Sequence, residues 1–182
     1  MGDGPKGRRG KWSVAGVPHR GWTCIETEDF GEPSTVCEMC ESMEIRYGHY
    51  MTHPDYPRNL VCGEICAGHM EGDLSAAKGR DKTMKDRARR RTNFPKLSGW
   101  KMNQKGNYIL KKDGARITVF SKGTVWRSVV SHPFDRNVFS SIDSKTPDEA
   151  KLIAFDILQE TMKRVQVARK RTQQQYDPFH DF

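Results

Sequence analysis

The sequence has no long apolar run. Its 182 residues contain no stretch approaching the roughly 18 apolar residues of a membrane-spanning helix, so we expect no membrane span. The basic N-terminus is not followed by an apolar segment and therefore does not have the form of a secretory signal. Without an export signal we expect the chain in the cytoplasm, a reducing compartment in which closely spaced cysteines bind metal more often than they form disulfides.

The sequence also lacks the motifs of several common enzyme classes. It has no glycine-rich phosphate loop, no Gly-x-Ser-x-Gly and no His-Glu-x-x-His. A thioredoxin-like redox pair needs a surrounding βαβ pattern, which is absent as well. No small-molecule substrate is indicated, and we expect a protein that is not an enzyme.

Cysteine and histidine are concentrated in one stretch, from Cys37 to His69. Thiolate and imidazole are the ligands that tetrahedral Zn²⁺ prefers, and the Cys-x-x-Cys spacing lets two sulfurs reach one ion. The pattern predicts a structural zinc ion, which is the expected cofactor, with a closed set of four ligands. The predicted ligands are Cys37, Cys40, Cys62 and Cys66. The fourth position stays open, because His53 and His69 are alternatives to Cys62, and His49 is a less favoured one.

Short strands surround the cysteines and a helix follows them. Residues 45–47 and 60–61 have strand character, and the chain after Cys66 can begin a helix. A cysteine turn, a hairpin and a cysteine at a helix start form the arrangement of a treble-clef finger. We expect the helix to continue to Asn93, weakened by Gly72 and Gly79, and to end at Phe94-Pro95.

The C-terminal half predicts a sheet and one helix. Strand-like segments occupy residues 106–112, 115–120, 124–130 and 138–142, and Asp113-Gly114 is a hairpin signal. Thr146, Pro147 and Glu149 predict a helix start with a capping box.

The predicted fold class is therefore α+β, in which a treble-clef-like zinc module is joined to a small three- or four-stranded antiparallel sheet packed on one helix. The predicted boundaries are a disordered basic tail at 1–11, a zinc-binding module at 12–77, a basic helix or linker at 78–96, a sheet-plus-helix domain at 97–168 and a frayed tail at 169–182.

Positive charge is clustered. The net charge is +8, and the segment from Lys78 to Lys96 carries nine basic residues against Asp81 and Asp86, a local charge of +7. A concentrated positive stripe attracts polyphosphate, so nucleic acid is the expected partner, with DNA favoured. The predicted contacts in this segment are Lys85, Arg87, Arg89, Arg90 and Arg91.

Two resemblances add to this interpretation. The runs Cys37-Glu-Met-Cys40, Ile45-Arg-Tyr, His53-Pro-Asp-Tyr-Pro and Cys66-Ala-Gly-His-Met resemble a set of uncharacterised small bacterial and phage proteins with zinc-finger-like patterns. The resemblance covers about half the chain and implies no activity. In that set the position of Cys62 is not reliably cysteine, whereas His49 and His53 recur, which keeps His53 as a candidate ligand.

The second resemblance concerns the C-terminal half. Three strands followed by a capped helix that begins Glu149-Ala-Lys are similar to the DNA-binding domains of phage integrase arms and plant ethylene-responsive factors. In those domains the sheet enters the major groove. The resemblance implies that Arg116, Trp126 and Arg127 lie on a nucleic-acid face.

Two alternatives to nucleic-acid binding remain open. A compact basic chain also suits an adaptor or inhibitor of phage or bacterial origin that binds an acidic protein. An HNH-like metal-dependent nuclease would use His49 or His53 as the general base, but the Asp-His or His-His adjacency usual on such hairpins is missing.

Overall fold

The computed structural model describes residues 9–175, so residues 1–8 of the predicted tail at 1–11 and residues 176–182 of the predicted tail at 169–182 lie outside the described residues. The chain is mixed α+β, as predicted, and forms two compact units that divide between Ala88 and Arg89. Within the described range, no helix combines the length and the apolar character of a membrane span.

In its described part, residues 9–88, the first unit contains five strands and one complete helix. Its strands are β1 (Thr23–Asp29), β2 (Thr35–Val36), β3 (Glu44–Ile45), β4 (Tyr47–Thr52) and β5 (Leu60–Cys62). They form an antiparallel sheet in the order β1-β4-β5 and a separate β2-β3 pair. Helix α1 (Glu64–Glu71) follows β5 directly, and helix α2 (Leu74–Asn93) begins in this unit.

The helical region differs from the prediction at its start. The sequence predicts one helix that begins after Cys66, but α1 begins before that residue and ends at Gly72. Gly72 has φ +78°, a left-handed conformation that favours glycine and closes a helix. Asp73 then accepts the Ala76 N–H with its Oδ1 at 2.8 Å, which starts α2. The predicted end at Asn93 is confirmed, since Phe94–Lys96 forms a 3₁₀ turn.

The N-terminal segment is ordered earlier than predicted. The sequence predicts disorder up to Lys11, yet Gly10–Ser13 forms a 3₁₀ turn. The Lys11 N–H donates to the Met39 carbonyl at 2.9 Å, and the Lys11 ammonium pairs with Glu41. These contacts tie the segment to the cysteine turn and bury Trp12 in the first core.

The second unit is a five-stranded antiparallel sheet with one long helix. The strands β6 (Lys101–Met102), β7 (Tyr108–Lys112), β8 (Ala115–Lys122), β9 (Val125–His132) and β10 (Asp135–Phe139) lie in the order β10-β9-β8-β7-β6. The prediction of three or four strands missed β6, which has two residues. The Asp113-Gly114 hairpin is confirmed, because both residues have positive φ, +52° and +78°.

Helix α3 (Pro147–Gln175) packs on β8 and β9. Its predicted start is confirmed: the Glu149 N–H donates to Thr146 Oγ1 at 3.2 Å, and the Glu149 carboxylate accepts the Lys145 N–H at 2.8 Å. The helix continues past residue 168, where the sequence predicts a frayed tail, to Gln175. Ala150, Ala154 and Leu158 are fully buried against the sheet.

Candidate metal centre and nucleic-acid interface

Three cysteine sulfurs meet at one point in the first unit. The Sγ atoms of Cys37, Cys40 and Cys66 all lie within 4.8 Å of one another. Cys37 and Cys40 come from the turn between β2 and β3, which the Cys37 N–H closes by donating to the Met43 carbonyl at 2.8 Å. Cys66 comes from the start of α1. Segments far apart in sequence therefore bring three soft ligands together.

The spacing of the sulfurs suits a single metal ion. A tetrahedral zinc ion with Zn–S bonds of about 2.3 Å holds its sulfurs roughly 3.8 Å apart. Sulfurs within 4.8 Å of one another need only a small inward movement to reach that distance. All five cysteines are free thiols, so no disulfide competes for these sulfurs. Three close cysteines of this kind are able to hold a metal ion.

Cys62 lies beside the cluster without being one of the three. It ends β5, is fully buried, and its thiol hydrogen-bonds to the Cys37 sulfur. The thiols of Cys62 and Cys66 and the Gly63 N–H all donate to Cys37, which holds the pKa of Cys37 far below its usual range. The same hydrogen bonds, together with burial, raise the pKa values of Cys62 and Cys66. A metal ion would replace these shared protons.

A buried donor also points to charge on the sulfurs. Among the described residues, the Trp12 indole N–H is buried with no hydrogen-bond partner of ordinary geometry. It lies near the Cys66 sulfur, where it partly offsets the rise in the pKa of that thiol. An N–H donor is well placed against a thiolate that binds metal, because it stabilises the remaining negative charge.

His53, one of the alternative ligands, takes part in other contacts. His53 stacks against Trp22 with ring centroids 5.3 Å apart, and its Nδ1 accepts the Asp55 N–H at 3.0 Å. Within residues 9–175, neither His53 nor His69 belongs to the group of ligand atoms that share the 4.8 Å limit.

His49 is fully buried in β4. Its Nδ1 accepts the Arg80 Nε–H at 3.3 Å, and its Nε2 lies 3.8 Å from Asp81 Oδ1. Burial and the Arg80 charge lower the pKa of His49, so the ring is neutral near pH 7. The Arg80 guanidinium also pairs with Glu71, which ties α2 to the end of α1. Sequence patterns carry no signal for this network, because its members are distant along the chain.

A surface depression of about 290 Å³ opens beside the cysteines. Cys37, Cys40 and Cys66 contribute to its wall, together with residues of α1 and α2 that include Glu64 and Asp81. Cys62 does not line it. The cluster is therefore reached from one side, and Cys62 lies away from that opening.

The predicted basic segment forms most of α2, and some of its charged side chains have partners of opposite charge. Asp81 is buried and pairs with Lys85 at 2.6 Å, while Arg91 Nε lies 2.9 Å from Asp156 Oδ2. The exposed members are Lys78, Lys82, Lys85, Arg87, Arg89 and Arg90 in the helix and Lys96 beyond it. One of the two acids in the segment is thus buried and paired with Lys85, and the helix still exposes a row of lysines and arginines.

The sheet of the second unit has one face against α3 and one that faces away from it. Ile117, Val119 and Val130 are buried on the helix side. Alternation and register assign the opposite side chains to the other face, which we call the outer face. The outer face consists of Lys101, Ile109, Lys111, Arg116, Thr118, Phe120, Lys122, Val125, Arg127, Val129, Ser131 and Phe139. None of these residues is buried.

Two of the three predicted contacts in the sheet lie on this outer face. Arg116 is exposed, and Arg127 pairs with Asp143. Trp126 lies on the helix side instead, where it packs against Tyr108 with ring centroids 5.9 Å apart. Its assignment to the same face as Arg127 was wrong, because neighbouring residues in a strand point to opposite faces.

No protein-family model, curated protein or solved structure matches this chain.

Proposed function

We propose that this chain is a zinc-containing protein that binds nucleic acid and does not itself catalyse a reaction. The observation that carries the proposal is the distribution of exposed charge. Helix α2 exposes a row of lysines and arginines, and the outer face adds five basic side chains, of which Arg127 pairs with Asp143. Surfaces of this kind neutralise phosphates and release their counterions.

The metal in this proposal is a structural zinc ion in a treble-clef-like module. Cys37, Cys40 and Cys66 supply three ligands, and Cys62 supplies the fourth because its thiol already contacts Cys37. The cysteine turn, the β4-β5 hairpin and a cysteine at the start of α1 follow the order of such a module. Four thiolates would close the coordination sphere, as in structural rather than catalytic sites.

The nuclease alternative receives no support from the histidines. A general base must come within about 3 Å of the water or hydroxyl that it deprotonates. His49 is fully buried and already accepts a hydrogen bond from Arg80, and His53 accepts one from the Asp55 backbone. The same basic surface would also suit an adaptor that binds an acidic protein, so a binding experiment must distinguish the two functions.

The test is binding of a fluorescent duplex and of a single strand of the same sequence across a salt series. The test variant replaces Lys78, Lys82 and Arg90 with alanine. We expect a steep salt dependence for the wild type. For duplex, the slope of log K against log salt should become shallower by about 0.9 for each phosphate that the variant no longer neutralises.

The control variant replaces Lys163, Lys170 and Arg171 of α3 with alanine and removes the same charge. An equal loss of affinity in both variants would show that only net charge matters and would contradict a contact surface on α2. Absence of binding to either nucleic acid at low salt would overturn the proposed function and favour an acidic protein partner.

A further inference from the structure

We infer that the outer face binds single-stranded nucleic acid by stacking unpaired bases on its aromatic and apolar side chains. The inference rests on the proposed function and names the form of nucleic acid that this face takes. Its starting point is Phe139, a large apolar side chain that remains 63% exposed on β10.

Phe139 ends a row that crosses the whole sheet. The strand pairing places Lys101, Ile109, Thr118, Val129 and Phe139 side by side, one from each strand. With strands about 4.8 Å apart, the row is roughly 19 Å long. Its middle is apolar apart from one hydroxyl group, and it is partly open to solvent. Such a row is a platform for flat rings.

Basic side chains border this platform. Lys111 and Arg116 lie opposite each other in the next row on one side. On the other side Arg127, which pairs with Asp143, lies opposite Phe120. Lys101 and Lys111 also border a depression of about 420 Å³ at the β6-β7 edge, with Ile109 in its wall. Cations around a central apolar strip match a strand whose phosphates run alongside its bases.

The chemistry of the platform favours unpaired bases over a duplex. Bases in a duplex are already stacked, and a sheet that reads the major groove needs long polar side chains that reach base edges. The centre of the platform presents Phe139, Ile109 and Val129 with Phe120 beside them, and the long basic side chains lie around that centre. Aromatic rings among lysines and arginines are the usual means of holding single strands without sequence preference.

The test measures binding of labelled oligonucleotides of about 15 residues, as single-stranded DNA, single-stranded RNA and duplex DNA. The variant is Phe139→Ala, whose exposed side chain contributes little to folding. Loss of one stacked base should weaken single-strand binding by about 5- to 150-fold and leave duplex binding nearly unchanged. A difference between the DNA and RNA arms identifies which sugar the face accepts.

The matched control is Phe134→Ala. Phe134 is 70% exposed in the β9-β10 turn and contacts Arg169 of α3, so the control removes a similar ring away from the outer face. Single-strand affinity should be unchanged in this control. Thermal melting of both variants checks that the sheet stays folded, and Phe139→Tyr, which keeps the ring, should restore binding.

Two results would overturn the inference. The first is a wild type that binds duplex but not single strands, and the second is single-strand binding that is equal in wild type and Phe139→Ala. If binding in either case still falls when Lys78, Lys82 and Arg90 are replaced, the proposed function stands and only the assignment of the outer face fails. Absence of binding to all three oligonucleotides overturns both.

Discussion

Removing one predicted metal ligand, with Cys37→Ser, tests the metal centre directly. Apparent binding energies of structural zinc sites are about 10–16 kcal/mol, and they become folding energy when the site does not exist in the unfolded chain. A unit with roughly 80 described residues has a total stability of about 4–12 kcal/mol. The binding energy lost with the zinc ion is therefore comparable to or larger than the total free energy of unfolding of this unit. We expect the first unit of Cys37→Ser to unfold.

The assay combines metal content per chain with the resonances of the tryptophan indole N–H groups. Trp12 and Trp22 are buried in the first core, whereas Trp100 and Trp126 pack against the second. In Cys37→Ser, bound zinc should disappear and the first pair of resonances should collapse to unfolded positions. The second pair should be retained, because its core contains no predicted ligand.

The matched control is Cys24→Ser. Cys24 is half-buried in β1, and its thiol contacts the Glu26 carbonyl at 3.4 Å rather than the cluster. This variant should keep its metal and its fold. Wild-type zinc content in Cys37→Ser, or equal loss of zinc in Cys24→Ser, would refute the reasoning. In the same assay Cys62→Ser should lose metal affinity, whereas His53→Ala and His69→Ala should keep it.

Three further predictions concern local structure. Gly10→Ala should destabilise the first unit by at least about 1 kcal/mol, because φ is +59° and the new Cβ would lie 2.7 Å from the Cys40 carbonyl carbon; an unchanged melting midpoint would contradict this. The first unit should lose stability as pH falls below about 6.5, because the pKa of His49 is lower in the folded state and unfolding therefore takes up a proton. Denaturant unfolding between about pH 7.5 and 5.5 should show the free energy of unfolding fall with pH, and His49→Gln should reduce that dependence. Thr146→Ala should cost the second unit about 1 kcal/mol by removing the acceptor for the Glu149 N–H, and an undiminished unfolding free energy in urea would argue against that cap.

The features predicted well from sequence are those set by local chemistry. The two residues of the Asp113-Gly114 turn, the cap at Thr146 and the stop at Phe94-Pro95 each follow from the conformational preferences of neighbouring residues. The grouping of Cys37 and Cys40 is local in the same sense, because a turn of four residues brings both sulfurs together. Cys66 joins them in the prediction because it is a cysteine in the same stretch and stands where a helix is predicted to begin.

The features that sequence does not show depend on distant partners. Asp81 has the sequence context of a surface charge, yet it is buried where α2 meets His49 of β4. The sequence assigns Arg91 to phosphate, but Asp156, 65 residues away, pairs with it. Strand β6 has two residues and exists because β7 offers it an edge to pair with. None of these pairings has a periodicity or a local motif.

The position of α2 links the metal centre to the proposed binding surface. The helix follows α1 after only Gly72 and Asp73, and Arg80 and Asp81 fix its first half against His49 and Glu71 in the first unit. That half carries the exposed Lys78 and Lys82. Removing zinc should unfold the first unit and release the first half of α2 from its contacts there. The outer face should be unaffected, because it belongs to the sheet of the second unit, which has its own core.

A strong chelator therefore separates the two surfaces. Chelation should make the salt dependence of duplex binding shallower by about 0.9 for each phosphate that α2 no longer neutralises. The affinity difference between wild type and Phe139→Ala for single strands should remain under the same conditions, since Phe139 belongs to the second unit. An unchanged slope of log K against log salt for duplex would show that α2 still contacts phosphate without the metal. Disappearance of the Phe139-dependent binding would show that the outer face also depends on zinc. Either result would contradict the expectation that zinc supports α2 but not the outer face.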